Sequence, residues 1–211
     1  MSLAHVGAVP RRIGVFGGAF DPPHHAHLAL AKVAIEQLQL NELRVVPTGH
    51  AWHKSRNLSS AEHRLAMTRI AFQDVPLVVV DERELRRAGP TFTIDTLEAL
   101  QSENPDAQLY LVMGADQFAA FRQWHRWESI VSLAIICIAG RATSTVTQAQ
   151  IEAYGTLNDR FVQLLLPPMT VSATQIRQLL ASGAGKSDDI NELVPGAVAR
   201  YISANHVYGT T

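Results

Sequence analysis

An α/β fold with a mostly parallel sheet is predicted by three features of the sequence. Short runs rich in Val, Ile and Leu alternate with runs of good helix formers along most of the chain, and strand-then-helix alternation is what the crossovers of a parallel sheet require. The first strand candidate, Ile13-Gly14-Val15-Phe16, breaks at Gly17-Gly18 directly before a helical run, so strand, turn and helix follow one another without a spacer. The chain has 211 residues, of which 47% are hydrophobic, enough for one substantial core and short for two full domains.

The elements follow in order. From about Ala26 to Leu40 the run AHLALAKVAIEQLQL is dense in Ala and Leu and is expected to be helical. Leu43 to Pro47 is the second strand candidate, followed by a polar loop carrying His50, Trp52, His53 and Lys54. Ser60 to Phe72 has helical periodicity, with Ser59 or Ser60 as its cap. Leu77 to Val80 is a strand, and the charged segment Asp81 to Arg87 leads into Gly89-Pro90. Thr93 to Leu100 reads as helix and Gln108 to Met113 as strand. Ile130 to Ala139, the most apolar run, is expected as a central strand, then Gln148 to Tyr154 as helix and Phe161 to Leu166 as the last strand. From Thr174 the chain reads as helical, interrupted at Ser182 to Asp188. One domain over residues 1–211 is expected, with a core over about 13–170 and a small helical subregion over about 172–206 capping the carboxyl edge of the sheet.

Lys and Arg total 18 against 19 Asp and Glu, a formal net charge of -1 with no basic block or acidic tail. Neither nucleic acid nor an anionic membrane is implied as a partner. The lone Cys137 excludes an internal disulfide and a Cys-rich metal site, and suits a reducing compartment. No apolar stretch reaches the length of a membrane span and the first residues lack a signal-peptide core, so a cytoplasmic location is expected.

Chemistry concentrates in GGAFDPPHHAH, residues 17–27. Gly17 and Gly18 would let the backbone approach a ligand closely, and the amides of the following helix start would face an anion. His24 and His27 share one face if the helix has begun by His24, and two imidazoles there could donate to phosphate oxygens. Asp21 could order the turn or hold a hydrated metal. The segment is also compatible with an ordinary glycine turn, or with zinc if His50, His53 or His63 supplied a third ligand. It lacks the G-x-G-x-x-G dinucleotide fingerprint. Near the other end, Ser172 followed by Gln175 has the form of a capping box. The amides there, the Ser172 or Thr174 hydroxyl and Arg177 could converge on a second anion. Gly183-Ala184-Gly185-Lys186-Ser187 imitates the tail of a P-loop, but Leu180 stands where a glycine is needed. His53-Lys54 and Arg141 follow strands, where open α/β sheets bind ligands. Asp116, after Gly114, suits either a hydroxyl or a helix cap. Phe121, Trp124 and Trp127 form a core stripe or offer one indole to a flat heterocycle.

Taken together, GGAFDPPHHAH resembles the GGTFDPxHxGH signature of the nucleotidylyltransferase superfamily, and VSATQIR (residues 171–177) resembles its ISSTxIR signature. With FTIDTL at 92–97, Gly114-Ala115-Asp116 and Trp124, the ordered set is similar to the bacterial nicotinate-nucleotide adenylyltransferase family, from about Ile13 to His206. The resemblance implies a Rossmann-like nucleotidylyltransferase fold and adenylyl transfer from ATP, with Mg2+, to nicotinate mononucleotide in NAD biosynthesis. It places His24 and His27 at the catalytic histidines. Gly17, Gly18, Phe20, Lys54, Gly114, Asp116, Arg141, Ser172, Thr174 and Arg177 become ATP or phosphate ligands, and Thr93 and Trp124 receive nicotinate mononucleotide. No protein metal ligand is implied, and the chain would be a monomer or homodimer.

Ala19 stands at the signature's threonine, Ala26 at the glycine of its H-x-G-H part, and Ala173 at the second serine of ISSTxIR. The methyl of Ala26 favours helix but narrows the space above the backbone. Rival readings are phosphopantetheine or nicotinamide mononucleotide as acceptor, and a regulatory nucleotide-binding module without catalysis.

Overall fold

The computed structural model describes residues 9–49, 58–140, 148–182 and 190–209. Among these, six strands build one sheet: β1 (Arg12–Gly18), β2 (Glu42–Pro47), β3 (Val78–Val80), β4 (Gln108–Gly114), β5 (Ala134–Ala139) and β6 (Phe161–Leu164). Their order is β3-β2-β1-β4-β5-β6, and every neighbouring pair is parallel. The strand order reverses between β1 and β4, and in open α/β sheets ligands bind in the crevice at the carboxyl ends of the strands flanking that point.

Helices α1 (His25–Gln37), α2 (Ala61–Phe72), α3 (Arg83–Arg86), α4 (Thr93–Glu103), α5 (Ala115–Ala119), α6 (Trp127–Leu133), α7 (Gln148–Glu152), α8 (Ala173–Ala181) and α9 (Gly196–Ala204), with short 3-10 turns at Phe121–Gln123 and Gly155–Arg160, complete the described elements. Side chains alternate between the two faces of the sheet, as the twofold repeat of a strand requires. Phe16, Val45, Tyr110, Val112 and Cys137 join the core formed with α1, α2, α8 and α9. Val15, Leu109, Leu111, Met113, Ile136 and Ile138 join the other core, against α4 and α6. Gly14 lies on the first face because a Cβ there would come within 2.6 Å of both Leu40 and Leu43.

Two expectations need correction. Ile130 to Leu133 is not strand but the end of α6, and the strand begins at Ala134. A continuous apolar run has no period to separate buried helix from buried strand. The last strand stops at Leu164, and Leu165 is 78% exposed. In the C-terminal helices, Ile176, Val198 and Ile202 bury into the same core as Phe16 and Leu30, and α9 packs on α2. Their apolar faces complete the helical layer on one side of the sheet.

Candidate active site

β1 ends at the switch point in the Gly17-Gly18 turn. Gly17 borders a cavity, and a Cβ added to it would meet nothing within 4 Å, so its lack of a side chain leaves that space open. At Gly18 a Cβ would come within 3.0 Å of the Phe20 ring. Phe20 itself adopts a left-handed φ of 47°, unusual for a bulky residue. Its ring is held edge-on by Phe16 at 5.4 Å and Phe72 at 6.0 Å, and is 1% exposed. Phe20, expected as an ATP residue, keeps its ring in the core and gives one edge to His27 at 5.0 Å.

α1 starts at His25, with His24 as the extended N-cap residue. The rings of His24 and His27 stack with centroids 3.7 Å apart and planes 22° from parallel, so the two histidines do share one face. The backbone N–H of His24 donates to Nδ1 of His27 at 3.2 Å. That bond requires Nδ1 to be unprotonated, and a neutral ring then carries its proton on Nε2 as a donor. The residue that supplies a helix N-terminus with an acceptor is thereby preset as a donor on its other side.

The second predicted anion motif meets the first directly. Ser172 caps α8, its Oγ accepting from the N–H of Gln175 at 3.3 Å. Arg177 donates to the carbonyl of Asp21 at 2.7 Å and to the exposed Thr174 hydroxyl at 3.0 Å. Asp21 is 1% exposed, and its carboxylate accepts from the Tyr208 hydroxyl at 2.6 Å and from the N–H of Ser59 at 3.3 Å. Burial beside that carboxylate pushes the Tyr208 phenol well above its usual range. Arg64, 4% exposed, donates to the carbonyls of Ala19, Thr48 and Ser59. One guanidinium thus joins the turn after β1, the turn after β2 and the approach to α2.

Beside Gly17 and Gly18, a cavity of about 190 Å³ is walled by Thr93, Thr96, Glu84, Gln117 and Trp124 among others. Phe121, fully buried, meets Trp124 at 5.5 Å and Trp127 at 6.2 Å, both edge-on. Trp124 remains half-buried on the cavity wall, while Trp127 packs on Tyr154 away from it. The stripe therefore divides, one indole for the cavity and one for the core. Glu84 accepts from the Thr96 hydroxyl at 3.0 Å. Burial pushes its carboxyl above the ordinary range, against the opposing bonds from Thr96 and the Gly49 amide.

Gly114 caps α5, and its N–H donates to the Gln117 side chain at 3.2 Å. Asp116 is exposed, and its Oδ1 lies 2.6 Å from where a Gly114 Cβ would stand. Both stand at the carboxyl end of β4 without lining the cavity. Lys54 and Arg141, with His50, His53 and the P-loop imitation, lie outside the described residues. Sequence reading missed Arg64, Glu84 and Tyr208. Arg64 had a signal: it shares the helical stripe of Met67, Thr68 and Ala71, where a charge falls on a face otherwise built for burial.

A parallel sheet with a glycine turn at its switch point, a stacked histidine pair at a helix N-terminus and a capped second helix locked to that turn defines a nucleotide-binding α/β protein built around phosphate. Residues 15–179 match the cytidylyltransferase-like family. A probable nicotinate-nucleotide adenylyltransferase of Albidiferax ferrireducens is 52% identical, over 95% of this chain and 99% of that protein. One from Methylibium petroleiphilum is 41% identical, over 94% and 92%. The fold matches the nicotinic acid mononucleotide adenylyltransferase of Plasmodium falciparum complexed with NaAD, with a TM-score of 0.80, at 19% identity, over 94% of this chain and 97% of that one. The chain belongs to the cytidylyltransferase-like family and, within it, to the nicotinate-nucleotide adenylyltransferases.

Proposed function

We propose that the protein transfers the adenylyl group of ATP to nicotinate mononucleotide, giving nicotinic acid adenine dinucleotide and pyrophosphate in NAD biosynthesis. The observation that carries this reading is the cavity that joins Gly17 and Gly18 of the phosphate turn to Thr93 and Trp124. A pyridine ring stacked on Trp124 would bring its mononucleotide phosphate toward the turn that holds ATP.

A phosphate oxygen of the mononucleotide attacks the α-phosphorus of ATP. The new P–O bond forms as the bond from the α-phosphorus to the bridging oxygen breaks, and pyrophosphate leaves. Such a displacement calls for positioning and charge stabilisation rather than a protein nucleophile. Nε2–H of His27 is the preset donor for that charge, with His24 stacked against it. Ser172, Thr174 and Arg177 hold phosphate at the second helix start. Mg2+ arrives as part of the ATP substrate. Among the described residues no group of three or more His, Cys, Asp or Glu could cage it, and Asp21 is already engaged by Tyr208 and Ser59.

Pyrophosphate release with ATP and magnesium, compared for nicotinate mononucleotide, nicotinamide mononucleotide and phosphopantetheine, tests the reading. Strong preference for the first is expected; release with none would move the chain to a binding module.

A further inference from the structure

We infer that Tyr208 is a positioning residue for the proposed adenylyl transfer, holding through Asp21 the loop that sets His24 and His27. The inference rests on the function proposed above and adds to it a residue 187 positions from Asp21 along the chain.

Among the described residues, three different parts of the chain hold Asp21. Tyr208 donates to Oδ1, the Ser59 amide donates to Oδ2, and Arg177 donates to the backbone carbonyl. The Tyr208 bond is the shortest of the three, at 2.6 Å, as befits a hydroxyl on a charged acceptor. Only Pro22 and Pro23 separate Asp21 from His24, all four residues being buried. Two pyrrolidine rings fix both intervening φ angles, so a shift at Asp21 reaches His24 with little slack. His24 in turn sets His27 by the stacked rings and the 3.2 Å amide bond. The Tyr208 hydroxyl thus lies outside the cavity and acts on the histidines at one remove.

Tyr208→Phe removes one O–H and keeps the ring. Steady-state kinetics with ATP and nicotinate mononucleotide are expected to show kcat down by about 10- to 100-fold, the scale of a small misplacement of reacting groups, with both KM values within about threefold. In the double variant with His27→Ala, the Tyr208 change is expected to cost clearly less than in the wild type, because part of its effect runs through His27. A purely structural role predicts a lower Tm with unchanged kcat well below it, or additive losses in the double variant, and either result overturns the inference. Should Tyr208→Phe fail to fold, Asp21→Ala, which removes the acceptor of the Tyr208 hydroxyl, is the second variant, and wild-type kcat in it overturns the inference equally. An active wild type with unaffected variants refutes this inference alone. A wild type that releases no pyrophosphate with any acceptor refutes the proposed function and the inference together.

Discussion

The backbone N–H of His24 donates to Nδ1 of His27 at 3.2 Å, so the ring that closes the first turn of α1 is also left with its proton on Nε2. These two roles can be separated. His27→Ala removes both: kcat is expected to fall by about 10²–10³-fold, the usual loss for one transition-state donor, with the KM for ATP changed only a few-fold. The lost acceptor at the helix start is expected to cost about 1 kcal/mol. His27→Asn offers an oxygen at the Nδ1 position and nothing at Nε2. Its Tm should return to near the wild-type value while kcat stays low. Recovery of turnover in the Asn variant would show that the ring matters as a cap and not as a donor.

Both candidate phosphate motifs were legible in the sequence because their signals are local: a glycine turn and a capped helix start each declare themselves within a dozen residues. How they meet was not legible. Arg177 reaches the Asp21 carbonyl and Tyr208 reaches its carboxylate across most of the chain, and nothing in either neighbourhood names the other. Ile130 to Leu133 failed for a different reason, since an unbroken apolar run has no period to read. The Phe121, Trp124 and Trp127 stripe was visible at helical spacing, but only the cavity decides which indole faces a ligand.

Gly14 and Gly17, three residues apart in β1, should respond in opposite ways to the same added methyl. At Gly17 the Cβ meets no protein atom within 4 Å and would project into open space beside the cavity. Gly17→Ala is therefore expected to keep or slightly raise stability, while raising KM for a substrate that uses that space. At Gly14 the Cβ falls 2.6 Å from Leu40 and Leu43. Gly14→Ala should lose about 1–3 kcal/mol through overpacking, with KM unchanged in whatever fraction folds. Thermal melts and steady-state kinetics on the two variants decide it: unchanged kinetics in Gly17→Ala would remove that glycine from the site.

Cys137 lies in β5 with its thiol fully buried, and burial pushes it up to about 12. The reactive species is the thiolate, so the native protein should resist alkylation at pH 8 and react stoichiometrically once unfolded in denaturant. Because the sequence holds a single cysteine, a thiol-reactive dye reports on this one site without interference. Fast labelling of the native protein would mean that β5 opens readily or that its face is not covered as described.

Glu84 links stability to pH with a definite sign. Burial raises its carboxyl above the ordinary value of 4.5 despite the bonds from Thr96 and Gly49. The folded chain therefore holds this proton more tightly than the unfolded chain does. The stability it contributes is fully present below pH 4.5 and is lost as pH rises through the higher folded value. Glu84→Gln keeps an acceptor for the Thr96 hydroxyl and does not titrate, so other groups cancel when the two proteins are compared. The stability of the wild type minus that of the Glu84→Gln variant is expected to be largest near pH 4 and to fall steadily above pH 4.5, measured by urea unfolding across that range. A difference that stays flat, or that grows with pH, would mean that the donors around Glu84 outweigh its burial and that the cavity wall carries a stably ionised carboxylate.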